Sequence, residues 1–384
     1  MPEPYMPQPL PLAEIDTRDF IRELGMANRE LARYDGIVQT LPNPDILLSP
    51  FMTQEAVYSS RIEGTQATLD EVFEQDAGRK FSEEKKEDIR EVTNYRGALK
   101  YGSASLQDRP FTMTLMREMH EMLLSGVRGA NRTPGFFRKV QNWIGAKGST
   151  PETATYVPPN PAFVEMLMEN WLRYMVDYED IDPLIQAAVM HAQFEMIHPF
   201  LDGNGRMGRL LIPLFLYKRG VLHKPIFYMS AYLEAHRDTY CACLNKVHGA
   251  EGWSPWIRFF LQGVAQQAVH NTSCSQAVLR LYNALKSEIR EATHSEYSHV
   301  VLDTLFRLPT FSVPRFTALA LESTPGCSPA TIRGLLKRIA AAGIVDQLHK
   351  GSGRLADIYR FSRLIEIVSP DEEQYASIFS HSML

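Results

Sequence analysis

HPFLDGNGRMGR, residues 198–209, lies between two apolar runs, PLIQAAVMHAQFEMI before it and LLIPLFLY after it. The first run is apolar on most faces of a helix, which predicts a buried helix that delivers His198 at its C-terminal end. Gly203-Asn204-Gly205 bends freely, and a second helix is predicted to begin there with its free amides exposed. Such a helix N-terminus is an anion site. Asp202 supplies a hard oxygen of the kind Mg²⁺ takes, and Mg²⁺ usually reaches proteins with phosphate attached. Arg206 and Arg209 are i and i+3, so both forks can face one pocket and grip phosphate oxygens. His198, with an ordinary pKa of about 6.5, can take a proton from an attacking hydroxyl beside a phosphoryl group. Singly, these residues read as a core histidine, a turn and a solvated helix face. Together and in this order they predict a polyphosphate site.

Outward from this stretch the chain is mainly helical. Ser49-Pro50 reads as a helix start for FMTQEAVYSSRIE, which Gly64 ends. Further helices are predicted over 84–105, 112–125, 161–178, 183–197, 204–219, 231–248 and 254–270. RTPGFFRKVQNWIGAKGSTPETATYVPPNP, with aromatic and β-branched residues broken by Gly, Thr and Pro, predicts a short β-hairpin or flap at about 145–157. The proline-rich residues 1–15 read as an extended arm. The predicted division is an N-terminal arm and helices over 1–105, a core over 106–270, a linker helix over 271–294 and a small domain over 295–384.

In that last segment, VVLDTLFRLPTFSVPRFTALALESTPGCSPATIRGLLKRIAAAGIVDQLHKGSGRLADIYRF orders helix, helix, turn, a third helix opening at Ser328-Pro329, and two short strands around Lys350–Arg354. This is the order of a winged helix-turn-helix. Arg333, Lys337 and Arg338 fall on the recognition helix, so DNA contact is one reading and packing on a neighbour or partner protein is the other.

The 384 residues, 45% hydrophobic and 22% charged, are those of an ordinary globular protein, and the net charge of −5 gives no chain-wide pull towards nucleic acid or anionic membrane. Four cysteines, at 241, 243, 274 and 327, fit neither a zinc spacing nor a disulfide framework and predict reduced thiols. The start is not a signal peptide and no run is long enough for a membrane span, so a cytoplasmic protein is expected.

The stretch 198–209 matches HxFx[D/E]GNGRxxR at every specified position and so resembles the signature of the Fic family (filamentation induced by cAMP). The resemblance covers about residues 50–270, including TYVPP and MSAYLEAHRDTY. It implies a Fic-type helical bundle and transfer of AMP from ATP–Mg²⁺ to a Ser, Thr or Tyr hydroxyl of a target protein, the chain itself included. By that resemblance His198 is the general base and Asp202 the Mg²⁺ ligand. Gly203, Asn204, Gly205 and Arg206, followed by Met207 and Gly208, form the cradle for the α- and β-phosphates, and Arg209 holds the γ-phosphate. Tyr232 and Tyr240 fall where the family shapes its adenine pocket, although His236 stands where the family often has Asn. Family members often dimerise, so a homodimer is compatible with the sequence.

SSRIEG, residues 59–64, fits the family's inhibitory pattern [S/T]xxxE[G/N] with Ser59, Glu63 and Gly64. Ser59 and Glu63 share a helix face, and a carboxylate aimed at Arg209 would take the γ-phosphate's partner. This resembles the class that carries its brake N-terminal to the core in the same chain. Three alternatives stay open at this stage. Glu63 can serve AMP removal, the donor can be another nucleotide such as UTP, or the chain can be a nucleotide-sensing DNA-binding regulator.

Overall fold

A computed structural model describes residues 3–369 and 379, apart from 14, 146–147, 151, 250–251, 325 and 352–355. Among the described residues these α-helices precede the C-terminal unit: α1 Ile21–Thr40, α2 Pro44–Leu47, α3 Ser49–Ile62, α4 Leu69–Asp76, α5 Glu83–Asp108, α6 Met113–Leu123, α7 Val164–Asp177, α8 Pro183–Ile197, α9 Asn204–Lys218, α10 Ser230–Ala235, α11 Arg237–Lys246 and α12 Trp253–Thr293. The mainly helical fold is as expected. At its centre stands α8, in which every residue from Leu184 to Ile197 is buried. A helix apolar on most faces must be covered on all sides, and α1, α7, α9 and α12 supply the cover. Asp182 caps α8 by accepting from the Leu184 amide at 2.8 Å, with Pro183 in the first turn.

Several elements depart from the sequence reading. The 20-residue α1 was not anticipated: its internal Gly25 and Gly36 each cost about 1 kcal/mol of helix propensity. The buried stripe Ala27, Leu31, Tyr34 and Val38, packed along α12, offsets that cost. Helix α4 was also missed, although Thr68 and Glu71 form a complete capping box that the sequence displays as T-x-x-E. The helix expected over 231–248 breaks at His236 into α10 and α11. The helices expected over 254–270 and 271–294 are one, the 41-residue α12.

The expected hairpin is reduced, among the described residues, to a single antiparallel bridge between Ile144 and Tyr156. Between them Thr150 and Thr153 bond to one another's backbone, and the Trp143 indole donates to the Ser149 carbonyl at 2.9 Å. These local bonds compete with a ladder. Residues 146, 147 and 151 of this segment lie outside the described residues.

The C-terminal unit comprises α13 Ser298–Arg307, β1 Thr310–Ser312, α14 Val313–Glu322, α15 Pro329–Ala341, β2 Asp346–His349, β3 Ile358–Arg360 and α16 Ser362–Val368. Its strands form an antiparallel sheet in the order β1-β3-β2, with Phe311 opposite Tyr359 and Gln347 opposite Tyr359 on the other edge. Ser328 caps α15 as expected, accepting from the Thr331 amide at 3.0 Å. Of the expected strand-connecting turn Lys350–Arg354, residues 352–354 lie outside the described set. The unit packs on the N-terminal helices: Gln54 of α3 donates to the Val368 carbonyl at 2.5 Å, and Arg360 reaches Asp70 of α4 at 3.2 Å. One buried apolar cluster embraces both parts. Among the described residues no helix is long and apolar enough to cross a membrane.

Candidate active site

The stretch 198–209 forms the turn between α8 and α9. His198 ends α8 in the left-handed conformation, φ 49° and ψ 59°. A non-glycine residue there costs about 1–2 kcal/mol, so the surroundings must enforce it. They do so by occupying the last carbonyls of α8. Tyr156 donates to Met196 O at 2.9 Å, while Arg138 donates to His198 O through Nε at 2.9 Å and to Ile197 O through Nη2 at 3.3 Å. The His198 Nδ1 lies 3.3 Å from Glu195 O. Desolvation first, and then the nearby Arg138 charge, push the imidazole down to about 4 against the Glu195 carbonyl and Glu63, which work to raise it. His198 is therefore neutral at physiological pH.

Gly203, with φ 77°, turns the chain into α9. The Asn204 amide clasps the turn from within, accepting from Phe200 N and donating to Phe200 O, each at 2.9 Å. Its side chain is thus committed to the loop, and its main-chain amide is what the first turn of α9 can offer an anion. The first helical bond runs from Met207 N to Gly203 O at 3.0 Å, so the free amides precede Met207. Met207 is buried in the core, and a Cβ on Gly208 would sit 2.3 Å from Glu195 Oε1. These two residues pack α9 on α8 and contribute no side chain to the cradle.

Asp202 points outward, with 39% of its side chain exposed. Its carbonyl accepts from His120 Nε2 at 2.9 Å, a tautomer fixed by the Gly135 amide donating to Nδ1 at 2.9 Å. His120 stacks on Phe200 at 3.6 Å, and burial pushes it down to about 4. Among the described residues no group of three or more His, Cys, Asp or Glu could hold a metal on its own. A single outward carboxylate beside a helix N-terminus fits a Mg²⁺ that arrives on phosphates and keeps several waters.

The two arginines separate. Arg206 is buried and held by Glu91 Oε2 at 3.3 Å and Asp202 Oδ1 at 3.4 Å. Glu91, itself fully buried, also accepts from Thr65 Oγ1 at 2.6 Å and from Arg128 Nε at 3.0 Å. Arg209 instead turns to α3: Nε donates to Ser59 Oγ at 2.9 Å, and Nη2 to Ser59 O at 2.9 Å and to Glu63 Oε1 at 2.7 Å. Glu63 is the C-cap of α3, and Gly64 at φ 95° lets Thr65 N return to Ser60 O at 3.1 Å. This is the 6→1 bond of a Schellman ending, which needs glycine. Desolvation works to raise the Glu63 carboxyl, but the charge and hydrogen bond of Arg209, joined by Arg206 and His198, hold it below the ordinary carboxylate range. A Cβ on Gly205 would lie 2.2 Å from Glu63 Oε1. The carboxylate therefore rests directly on the first turn of α9.

Tyr240 is buried beside Arg209, its hydroxyl 2.9 Å from His191 Nε2. Tyr232 lines a cavity of about 370 Å³ with His236, Phe259 and Phe379, and no residue of 198–209 lines it. Glu91, Arg138 and His120 did not stand out in the sequence. Each acts across long separations, 115 residues from Glu91 to Arg206 for example, and no local pattern signals them.

Comparison with known proteins agrees with this geometry. The Fic/DOC family N-terminal region matches residues 21–104, and the Fic/DOC family domain matches residues 110–216. The chain is 28% identical over 204 residues to a protein adenylyltransferase Fic of Culex quinquefasciatus, covering 52% of the chain and 35% of that protein. It is 35% identical over 111 residues to a probable protein adenylyltransferase of Aquifex aeolicus (strain VF5), covering 29% and 32%. The matches thus span about a third of those relatives' lengths. In fold it is similar to a Fic family protein from Desulfovibrio desulfuricans G20, with a TM-score of 0.58 at 18% identity over 92% of the chain and 98% of that protein. Fic-1 from C. elegans aligns with a TM-score of 0.51 at 20% identity over 67% and 72%. Both regions of the Fic/DOC family are thus matched, one after the other, over the helices that build the site.

Proposed function

We propose that this chain transfers AMP from ATP–Mg²⁺ to a hydroxyl side chain of a protein and is held inactive by its own Glu63. The observation that carries the reading is the 2.7 Å pair between Glu63 and Arg209 on the first turn of α9, in the middle of the His198–Arg209 constellation. The names of the relatives, protein adenylyltransferases, support the AMP donor.

In this reading neutral His198 takes the proton of the target hydroxyl, whose oxygen attacks the α-phosphorus in line while pyrophosphate leaves. The amides of Gly203 to Arg206 and the Arg206 guanidinium receive phosphate oxygens, and Arg209, once freed from Glu63, holds the terminal phosphate. Asp202 would hold Mg²⁺, which supplies charge neutralisation on the phosphates when bound. Tyr240, beneath Arg209, and Tyr232 are the proposed neighbours of the base. Positioning and electrostatics do most of the work in such transfers. The Ile144–Tyr156 segment is the proposed docking edge for an extended target segment.

The test uses wild type, Glu63→Gly and His198→Ala with Mg²⁺ and ATP labelled on the α-phosphate, alone and with a lysate. Label on the Glu63 variant and none on the histidine variant is expected. Silence in folded, ATP-binding Glu63→Gly, with transfer from γ-labelled ATP or from UTP instead, would replace the donor or the reaction.

A second reading concerns the C-terminal unit, which we take as a winged helix-turn-helix. The order α13, β1, α14, α15, β2, β3 and its three-stranded antiparallel sheet support this. Arg338 is turned inward onto Thr293 O, and Arg360 and Arg363 are paired to Asp70 and Glu288. Arg315, Arg333 and Lys337 stay exposed beside a cleft of about 650 Å³. Exposed cations on one side of the unit favour a phosphate backbone, and salt-dependent retardation of duplex DNA is the measurement that decides it.

A further inference from the structure

Arg138 is a buried guanidinium, 2% exposed, with no carboxylate partner among the described residues. Its companions are carbonyls. Nε donates to His198 O at 2.9 Å, Nη2 to Pro159 O at 2.6 Å and to Ile197 O at 3.3 Å, and its own amide donates to Pro199 O at 2.9 Å. A cation at a helix C-terminus is favoured by the carbonyl dipoles it meets. Here that cation lies where α8 ends in a strained residue, and it also grips the chain emerging from the Ile144–Tyr156 segment. Gln141 and Asn142 continue the clasp, donating to Pro158 O at 2.8 Å and to Phe200 O at 3.1 Å.

We infer that Arg138 is a positioning residue for His198: its fork holds the left-handed turn that aims the imidazole, and its charge is a fixed positive neighbour of that ring. The inference rests on the AMP-transfer reading above. Two properties follow from one side chain, and they separate chemically. The fork needs the planar guanidinium, whereas the charge needs only a cation. Lysine keeps the second and loses the first; methionine loses both.

The charged groups that act on His198 are Arg138, which disfavours its protonation, and Glu63, which favours it. In a Glu63→Gly background, Arg138 is then the remaining one. Without its charge the imidazole pKa rises, and because a base must be unprotonated, activity on the acid side is lost at a higher pH.

The experiment compares Glu63→Gly with its Arg138→Lys and Arg138→Met derivatives, all full-length. It reads AMP transfer across pH 4–8, Tm, and the His198 ring by nitrogen NMR. Arg138→Lys is expected to lose at least about tenfold in kcat with the acid limb unmoved. Arg138→Met is expected to lose at least as much and to shift both the acid limb and the His198 titration upward. A folded Arg138→Met with parental rate and an unmoved titration would overturn the inference, and parental rate and profile in Arg138→Lys would overturn the fork's role. If Arg138→Met does not fold, Arg138→Lys still decides. Should Glu63→Gly itself transfer nothing, the AMP-transfer reading fails while the ring titration still tests Arg138.

Discussion

Glu63 and Arg209 make an unequal pair: the arginine side chain is 2% exposed and the carboxylate 39%. Removing the carboxylate leaves a buried cation with the two Ser59 oxygens and Tyr240 but without its anionic partner, so Glu63→Gly should destabilise the ligand-free protein. The expected cost is about 1–2 kcal/mol, below that of a fully buried pair because Glu63 is partly solvated. A nucleotide that supplies Arg209 with a phosphate should restore it. Thermal shifts with ATP should accordingly be larger in the variant than in wild type, and equal shifts would mean that Glu63 does not compete with the nucleotide. Glu91→Gln tests the other arginine. It replaces the buried charge that holds Arg206 and Arg128, with an expected loss of about 3 kcal/mol in urea unfolding and weaker ATP binding. The sequence displayed His198, Asp202 and both arginines because their spacing is local. It could not display that the Asn204 side chain is spent on Phe200, or that Arg206 answers to Glu91, since both facts depend on how the turn folds back and on which helix lies opposite.

At the scale of elements, the aim of the Glu63 carboxylate, the proposed brake, is set by how α3 ends. Gly64 at φ 95° makes the Schellman bond possible, and alanine there costs about 1–2 kcal/mol or forces another ending. Gly64→Ala should therefore leave Glu63 in the chain but misdirect it, giving self-modification intermediate between wild type and Glu63→Gly in the α-label assay. Activity equal to wild type would show that the loop, held through Thr65 to Glu91, aims the carboxylate without the glycine. Helix α8 was legible to the residue because a run that is apolar on most faces, opened by Asp-Pro, has one interpretation. Helix α1 was not, since its glycines and polar surface hide a stripe that matters only once α12 lies alongside. The expected hairpin or flap keeps an antiparallel bridge among the described residues; aromatic and β-branched residues signal extended chain but not how many ladder bonds it forms.

Across the whole molecule, buried and half-buried histidines set the acid response. His120, His198 and His270 are held down at about 4 and His191 at about 3, in each case mainly by burial. Between about 6.5, the unfolded value, and those values the unfolded chain binds more protons than the native one. Stability therefore rises with pH through that window and falls on acidification. Glu195, pushed up to about 8 by burial, and Glu55, also raised, act in the opposite direction, but they are outnumbered. Tm should drop steadily from pH 6.5 to 4; a flat profile would show that these rings are more solvated than their packing implies. The joining of the two parts was the least legible feature, because the sequence reads as a core ending at residue 270 and a linker helix over 271–294 while the helix itself runs on unbroken.

That continuity has a consequence for how such proteins can be recombined. At 1.5 Å per residue the 41-residue α12 is about 60 Å long, and it packs on α1 and α8 of the core as well as on α13, α15 and α16. A chimera spliced at residue 270 would join two half-helices whose rotational phase must agree, each turn carrying an error of one residue through about 100°. The tolerant crossover lies further on, at the turn after His294, where the helix has already ended in a left-handed residue. Exchanging the C-terminal unit there leaves the rod whole, so the incoming unit is chosen only by the surface it meets.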